Sequence, residues 1–153
     1  MKPIKEIMTL NPQSCLKNET LLSVSNQMSK FNIGALPVVD ESKKVIGIIT
    51  DRDIVLALCK IKKTLKQITV NEAMTSEVYT IDVEDDAANA LNLMREKKIG
   101  RLPIVNRQNC LEGMISFNSI SRKIYKEDIE KAGKENVLNT LQEINDRNET
   151  ITK

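Results

Sequence analysis

The sequence has no histidine and no tryptophan. Histidine is the commonest general base of enzymes and the commonest ligand of transition metals, so its absence argues against catalysis and against a metal centre. A Walker loop and a Gly-x-Ser-x-Gly elbow are also missing. Asp51 and Asp53 are close in sequence, but at a helix start they point to different faces. We therefore expect a protein that is not an enzyme and requires no cofactor.

An excess of one charge is lacking as well, since 23 basic residues face 21 acidic ones. Such a balance provides no broad basic surface, and nucleic acid is therefore not an expected partner. The lysine-rich segment from Lys60 to Gln67 is interpreted as a solvated linker. Contact with nucleic acid remains the alternative there, although no aromatic residue is interleaved to stack on bases.

Long apolar runs are absent, and no stretch approaches the roughly 18 residues that a membrane span needs. The first residues also lack the apolar core of a signal peptide. The three cysteines, Cys15, Cys59 and Cys110, are far apart and form no Cys-x-x-Cys pair. We expect reduced thiols in a cytoplasmic protein that does not contact a membrane.

What the sequence contains is a duplication, because a shift of 66 residues matches the chain to itself without a gap. The matched pairs are Met8-Thr9 with Met74-Thr75, Ile33–Val39 with Ile99–Val105, and Gly47–Thr50 with Gly113–Ser116. Shared hydrophobic periodicity alone would not keep these motifs in register. The predicted divisions are a first repeat (residues 1–66), a second repeat (67–126) and a C-terminal helical tail (127–153).

Each repeat has the pattern of a β-α-β-β-α unit, which predicts an α+β fold. Only 3% of the residues are aromatic although 41% are hydrophobic, so the core must be aliphatic. A short helical turn opens each repeat, and an extended stretch, a capped helix, a hairpin of two strands and a second helix follow. In the first repeat these are Pro3 to Met8, Gln13 to Leu16, a helix after Thr20, Leu36 to Val39, Val45 to Thr50, and Asp51 to Lys60; in the second they include Val70 to Met74, Val78 to Val83, a helix after Asp86, and Phe117 to Tyr125.

Local signals add four expectations. The helix after Thr20 should bury Leu21, Val24, Met28 and Phe31, which recur at spacings of three and four. Glycines 34 and 100 lie just past the first helix of each repeat, where a left-handed residue is usual. Prolines 37 and 103 suggest an edge strand or the start of a strand. After Ser121, a sparse apolar stripe predicts one or two helices that pack on the module or on a second copy.

These motifs together resemble the CBS domain, named after cystathionine beta-synthase, and the tandem copy resembles a CBS pair, or Bateman module. The resemblance covers residues 3 to 125 and rests on Ile-Met-Thr, Ile-Gly-x-Leu-Pro-Val-Val-Asp and Gly-Ile-Ile-Thr-Asp-Arg-Asp-Ile. It implies two repeats related by pseudo-two-fold symmetry, with clefts between them that bind AMP, ADP, ATP or S-adenosyl compounds. It also implies a homodimer and an effector protein whose identity is unknown.

The ligand signature of that family, Gly-h-x-Thr/Ser-x-x-Asp with h apolar, is complete in the first repeat from Gly47 to Asp53. The Thr50 hydroxyl and the nearby helix N–H groups can face a phosphate, and the Asp53 carboxylate can accept from two ribose hydroxyls. An alternative is that Thr50 and Asp53 only cap the helix, and the two roles are compatible. In the second repeat Ser116 is kept but Ser119 replaces the aspartate, so we expect one good site and one poor one.

The resemblance implies that the good site combines the signature of one repeat with strand residues of the other. The predicted ligand-binding residues are Ile48, Thr50, Asp53, Val78, Tyr79, Ile99, Gly100, Arg101, Leu102 and, in the poorer site, Ser116. Arg101, which Ala35 replaces in the first repeat, suits a phosphate but is also compatible with an ordinary surface arginine. Tyr79 can stack on a base or simply cover the core.

Two functions are consistent with these residues. The first is a regulatory module that senses an adenine nucleotide, AMP or ATP first, or alternatively an S-adenosyl compound. The second is a dimerisation or interaction module with empty clefts, which the loss of an aspartate at Ser119 favours. Failure to bind any nucleotide would distinguish the second from the first.

Overall fold

The computed structural model of the chain describes residues 3–127, 138–140 and 142–143. These residues form two compact units. The first, called here the Thr50 unit, comprises Asn11–Tyr79 and Arg107–Leu111. The second, the Ser116 unit, lies within Met1–Leu10, Thr80–Asn106 and Glu112–Lys153. Most of the predicted C-terminal tail lies outside the described residues, although residues 138–140 and 142–143 are helical.

The α+β fold and the two β-α-β-β-α repeats predicted from the sequence are confirmed. Each unit contains one sheet, with strand order β2-β3-β4 in the Thr50 unit and β1-β7-β6-β5 in the Ser116 unit. The elements in chain order are a 3-10 turn (Ile4–Glu6), β1 (Thr9–Leu10), β2 (Cys15–Leu16), α1 (Leu21–Phe31), β3 (Ala35–Val39), β4 (Val45–Thr50), α2 (Asp51–Lys60), α3 (Val70–Ala73), β5 (Ile81–Asp82), α4 (Ala87–Lys97), β6 (Arg101–Val105), β7 (Leu111–Ser116) and α5 (Phe117–Glu127).

Each unit includes the opening segment of the other repeat. In the Ser116 unit, β1 pairs antiparallel with β7, and Thr9 lies opposite Met114. In the Thr50 unit, Thr75 of the second repeat pairs with Ile48 of β4, through two backbone hydrogen bonds of 3.0 and 2.9 Å. The compact units therefore do not follow the order of the repeats along the chain.

Two glycines make this close pairing possible. A Cβ atom on Gly47 would lie 2.9 Å from the Met74 Sδ atom and 3.0 Å from the Thr75 carbonyl oxygen. A Cβ atom on Gly113 would lie 2.6 Å from the Met8 Sδ atom. In each unit, therefore, the Met-Thr motif of one repeat packs against the glycine of the other repeat. These are the same motifs that revealed the duplication.

Proline 37 is the third of the five residues of β3, the central strand of its sheet, so the prediction of an edge strand or a strand start is wrong. Pro37 is opposite Ile48, whose N–H and C=O groups both bond to Thr75. The N–H and C=O groups of one strand residue point to the same side of the strand, so those of Ile48 point away from Pro37. The Pro37–Ile48 pair therefore exchanges no hydrogen bond, and the N–H group that proline lacks is not needed for the pairing with β4. The pairing of β2 with β3 begins at Val38, one residue later. Pro103 likewise lies in β6, the second strand from the edge of a four-stranded sheet.

The predicted starts of α1 and α4 are confirmed, but the prediction that a left-handed glycine follows each of these helices is wrong. Thr20 accepts a hydrogen bond from the Ser23 N–H group, and Asp86 accepts from Ala88 and Asn89. The left-handed residues are Asn32 and Lys98, with φ of 51° and 53°, rather than the two glycines that follow. Asparagine adopts this conformation readily, whereas a lysine there costs on the order of 1 kcal/mol.

The helix α1 buries three of the four residues expected to face inward. Leu21, Val24 and Met28 are buried, but Phe31, the last residue of the helix, is 43% exposed, and the prediction for it is wrong. Lys30 Nζ lies 5.3 Å from the centre of its ring. Ile33, which follows the left-handed turn, packs against the core instead.

Both cores are aliphatic, as the composition requires. The core of the Thr50 unit consists of Cys15, Leu21, Val24, Met28, Leu36, Val38, Ile49, Ile54, Ala57, Ile68 and Val70. Buried residues of the Ser116 unit include Ile4, Ile7, Ile81, Ala87, Ala90, Leu91, Met94, Leu102, Ile104, Ile115 and Ile120. Four of these residues, Ala87, Ala90, Leu91 and Met94, form the buried face of α4.

The three cysteines differ in exposure, and this predicts their order of reaction. Burial, with a smaller contribution from the charge of Glu19, raises the pKa of the Cys15 thiol from 9.0 to about 12. Cys59 is exposed, and Cys110 is half-buried. Because the thiolate is the nucleophile, iodoacetamide at pH 8 should modify Cys59 first and leave Cys15 intact in the folded protein. Peptide mass spectrometry of a time course measures this order.

The same shift makes stability depend on pH. The pKa of Cys15 in the folded chain is above its value in the unfolded chain, so the contribution of the neutral thiol is fully present below about pH 9 and is lost as the pH rises toward 12. Urea unfolding of wild type and of Cys15→Ala at pH 8 and pH 10.5 tests the sign. If the free energy of unfolding fell equally in both proteins between pH 8 and pH 10.5, the effect assigned to Cys15 would be contradicted.

Candidate functional site

The end of β4 and the start of α2 form a capping box between Thr50 and Asp53. The Asp53 N–H group donates to Thr50 Oγ1 at 3.2 Å, and the Thr50 N–H group donates to Asp53 Oδ2 at 2.8 Å. The Thr50 hydroxyl also donates to Asp53 Oδ2, at 2.7 Å. The capping role considered from the sequence is therefore present, and it fixes the position of the carboxylate on the first turn of α2.

The first N–H groups of α2 already have acceptors within the chain. The Asp51 N–H group donates to the Gly34 carbonyl at 3.3 Å, and the Arg52 N–H group donates to Asp51 Oδ1 at 2.8 Å. The Thr50 hydroxyl has a single hydrogen, which Asp53 receives. A phosphate at this helix start would have to displace one of these bonds, and it would also meet the charges of Asp51 and Asp53.

The second oxygen of Asp53 is different, because Oδ1 has no hydrogen-bond donor among the residues that the structure describes. The residue is half-buried, so the carboxylate is held in place and still reachable. A fixed carboxylate oxygen is a suitable acceptor for a ligand hydroxyl.

The corresponding position in the Ser116 unit has no such oxygen to offer. Ser119 Oγ accepts from the Ser116 N–H group at 2.9 Å and from the Ser116 hydroxyl at 3.2 Å, and it donates to the Ser116 carbonyl oxygen at 2.7 Å. The Ser119 N–H group donates to Ser116 Oγ at 3.1 Å. The serine therefore preserves the helix cap, but its hydroxyl is already bonded to Ser116 and leaves no second oxygen for a ligand.

The other predicted site residues are divided between the two units. Ile48, Val78 and Tyr79 lie in the Thr50 unit with Thr50 and Asp53, and all of them are half-buried. Val78 and Tyr79 precede β5 rather than forming part of it. The Tyr79 hydroxyl donates to Glu77 Oε1 at 3.0 Å.

The Ser116 unit contains Ile99, Gly100, Arg101, Leu102 and Ser116. Arg101 is exposed at the start of β6, which leaves its guanidinium accessible. Leu102 is completely buried, so only its backbone remains available to a ligand. Sequence reasoning did not find that Met74 and Thr75 lie against the signature glycine, although the Met-Thr match between the repeats pointed to a shared role.

Within residues 3–127, 138–140 and 142–143, no three metal-ligating side chains come together. No helix in the same described part of the chain is long and apolar enough to cross a membrane.

A family model for the CBS domain matches the chain twice, at residues 4–60 and 70–126. The chain belongs to the CBS domain family. One match lies within each of the two repeats found by comparing the sequence with itself. The asymmetry between Asp53 and Ser119 is thus a difference between two CBS domains in one chain.

Relatives of this CBS pair include both chains of similar length and parts of larger enzymes. The uncharacterized protein YlbB of Bacillus subtilis is 31% identical over 150 residues, which cover 97% of each chain. Inosine-5'-monophosphate dehydrogenase of Methanocaldococcus jannaschii is 34% identical over 120 residues, which cover 78% of this chain but only 22% of the enzyme.

A solved structure that resembles this chain holds adenosyl ligands. The CBS domain pair of protein MJ0100, in complex with 5'-methylthioadenosine and S-adenosyl-L-methionine, superimposes with a TM-score of 0.73 and 30% sequence identity. The match covers 80% of this chain and 99% of that one. CBS pairs similar to this chain are therefore known to bind small adenosyl ligands.

Proposed function

We propose that this CBS pair is a regulatory module that binds an adenine nucleotide, AMP or ATP in the first place, with Asp53 as the acceptor for the ribose hydroxyls. One observation carries the proposal: Asp53 Oδ2 completes the cap of α2, while Oδ1 has no donor among the described residues. The Ser116 end, where Ser119 Oγ is used locally, is the poorer site. The protein itself performs no catalysis in this proposal.

An S-adenosyl compound is the second candidate, and two observations favour it. The similar CBS pair of MJ0100 binds 5'-methylthioadenosine and S-adenosyl-L-methionine. The first turn of α2 also carries two acidic residues, Asp51 and Asp53, and no N–H group of that turn lacks an acceptor. Such a helix start favours a ligand with little or no negative charge over a polyphosphate.

The regulatory mechanism that we propose is a population shift. A ligand that binds one arrangement of the chain more tightly than another favours that arrangement, and an effector protein responds to it. The module acts as a homodimer in the cytoplasm, a reducing compartment in which cysteines rarely form disulfides.

Calorimetric titration of AMP, ATP and S-adenosylmethionine into the wild-type protein tests the proposal. Saturable binding of about one ligand per chain is expected for at least one of the three, and Asp53→Ala should weaken it by at least about tenfold. The ligand that binds most tightly decides between a nucleotide and an S-adenosyl compound.

Two results would contradict the proposal. Binding that Asp53→Ala leaves unchanged would assign the site to Ser116 instead. The absence of heat and of thermal stabilisation with all three compounds would favour an interaction module with empty clefts.

A further inference from the structure

Residues 60–67, which contain four lysines and lie at the junction of the two repeats, are fixed by their backbone against the start of α1. The Leu65 carbonyl oxygen accepts from the Leu22 N–H group at 3.0 Å. Directly after the segment, the Ile68 carbonyl oxygen accepts from the Leu21 N–H group at 2.9 Å. Leu65 packs against the core, and Ile68 is completely buried. The lysines therefore project from a fixed part of the Thr50 unit rather than from a loose linker.

The charge of this segment is strongly positive on a local scale. Its lysines, at positions 60, 62, 63 and 66, are all exposed. No acidic residue occurs between Asp53 and Glu72. Glu72 accepts from Lys63 Nζ at 2.7 Å and from the Thr69 N–H group at 2.9 Å, whereas the other three lysines form no ion pair with any residue that the structure describes. Three exposed cations are therefore available to a partner.

A fifth lysine lies beside the segment. The Lys17 carbonyl oxygen accepts from the Asn71 N–H group at 2.9 Å, and Lys17 is exposed. Glu19, the carboxylate nearest to it in sequence, accepts from the Leu16 N–H group and from the Ser23 hydroxyl, both at 2.8 Å. Five lysines thus outnumber two carboxylates, Glu19 and Glu72, on this side of the Thr50 unit.

The segment also contains a neutral donor. Gln67 Oε1 accepts from the Thr64 N–H group at 3.1 Å and from the Thr64 hydroxyl at 3.0 Å. The NH2 group of Gln67, an exposed residue, has no acceptor in the described part of the chain, so it can donate to an anion. We call Lys17, Lys60, Lys62, Lys63, Lys66 and Gln67 the lysine surface.

An acidic protein, a lipid membrane and a nucleic acid all carry negative charge, and the composition of the lysine surface distinguishes between them. Protein interfaces are depleted of lysine and depend on aromatic, methionine and arginine residues, none of which the lysine surface contains. Membrane binding needs apolar side chains that enter the lipid, but Ile61 and Leu65 pack against the core. Lysine and glutamine side chains are typical contacts of nucleic-acid phosphates. A nucleic acid is therefore the partner that this composition favours.

The scarcity of aromatic residues further favours a double strand. Proteins that bind single strands stack the bases on aromatic side chains, and between Phe31 and Tyr79 the sequence has none. A duplex presents regular rows of phosphates, which lysines can meet without any contact to the bases. We propose that the lysine surface binds the phosphate backbone of a double-stranded nucleic acid, independently of its sequence.

The lysine surface is present once in the chain. At the repeat spacing of 66 residues, the four lysines of the segment correspond to Lys126, Asp128, Ile129 and Ala132. The charge balance of the whole chain, which argued against nucleic acid, averages this surface with the acidic residues of other segments. A contact of so few charges implies weak binding that depends strongly on salt.

Fluorescence anisotropy of labelled DNA and RNA duplexes of about 20 base pairs tests the lysine surface at salt concentrations of about 50 to 200 mM. No adenosyl ligand is added, so this proposal and the adenosyl site can fail separately. We expect similar affinity for the two duplexes, because both present phosphates. The slope of log K against log salt should be about −3 to −4, which corresponds to three or four neutralised phosphates.

The double variant Lys62→Ala, Lys66→Ala should reduce the magnitude of this slope by about 2 and weaken binding at least about tenfold at the lowest salt. Both lysines are exposed, so the thermal midpoint should stay unchanged. Lys30→Ala changes an exposed lysine at the opposite end of α1. It is the matched control and should bind both duplexes as wild type does.

Failure of wild type to bind either duplex at the lowest salt, or a double variant that binds as wild type does, would overturn the proposal. Tighter binding of a single strand of the same length would overturn the preference for a duplex. Vesicles containing phosphatidylserine and a polyglutamate peptide are the competing probes. If one of these bound through Lys62 and Lys66 while the duplexes did not, the lysine surface would be assigned to a membrane or to an acidic protein instead.

Discussion

Asp53→Ser should weaken adenosyl-ligand binding by about 10- to 100-fold, because a charge-assisted hydrogen bond is worth about 1.5–3 kcal/mol. The same variant should change the thermal midpoint little. The chain itself contains the structural precedent for this variant. At the same position of the second repeat, Ser119 accepts from the Ser116 backbone and keeps the helix cap. The variant therefore removes the unpartnered carboxylate oxygen without removing the cap. Calorimetric titration and thermal unfolding of the same samples give both quantities.

Two further variants separate the roles of the carboxylate. Asp53→Ala loses the hydrogen bonds from Thr50 to the carboxylate as well as the ligand contact, so it should also lower the stability by about 1 kcal/mol. Ser119→Asp supplies an equivalent oxygen to the second repeat and should raise the stoichiometry if the remainder of that site is competent. Wild-type affinity in Asp53→Ser would refute the role assigned to this residue, since only the carboxylate has been removed.

Gly47→Ala should lower the free energy of unfolding by about 1–3 kcal/mol, the usual cost of forcing an extra methyl group into a packed contact. The new Cβ would approach the Met74 Sδ atom to 2.9 Å and the Thr75 carbonyl oxygen to 3.0 Å. The sulfur can move, but the carbonyl belongs to the backbone pairing with Ile48. Urea denaturation of the variant and of wild type measures the difference.

Gly100→Ala is the matched control, because a Cβ atom there meets nothing within 4 Å. It should be neutral, or stabilising by up to about 1 kcal/mol through the unfolded chain. Combining Gly47→Ala with Met74→Ala should show coupling of at least about 0.5 kcal/mol, since the shortened side chain relieves part of the clash. Equal destabilisation by the two glycine variants would show that helix or strand propensity, rather than the Met-Thr contact, is responsible.

The sequence predicted those parts of the fold that depend on neighbouring residues. The bounds of α2, Asp51–Lys60, and the caps at Thr20 and Asp86 follow from local chemistry. The position of Pro37 could not be predicted in this way, because its tolerance depends on Thr75, which bonds to the other side of Ile48. Long-range pairing decides whether a missing N–H group has any cost.

The candidate site was predicted to a similar extent. The signature identified Thr50 and Asp53, and their capping geometry was foreseen as an alternative to ligand binding. The sequence could not show that the two carboxylate oxygens of Asp53 have different surroundings, nor that the hydroxyl of Ser119 is used by its own helix turn. Both facts depend on hydrogen-bond geometry rather than on residue type.

A single repeat of this sequence cannot complete its own sheet, because β4 takes its outer neighbour, Thr75, from the repeat that follows, and β7 takes Thr9 from the repeat that precedes. One repeat on its own could therefore complete its sheet only by pairing with a second copy that supplied the missing segment. With both repeats in one chain, each sheet is completed intramolecularly, and its formation does not depend on protein concentration.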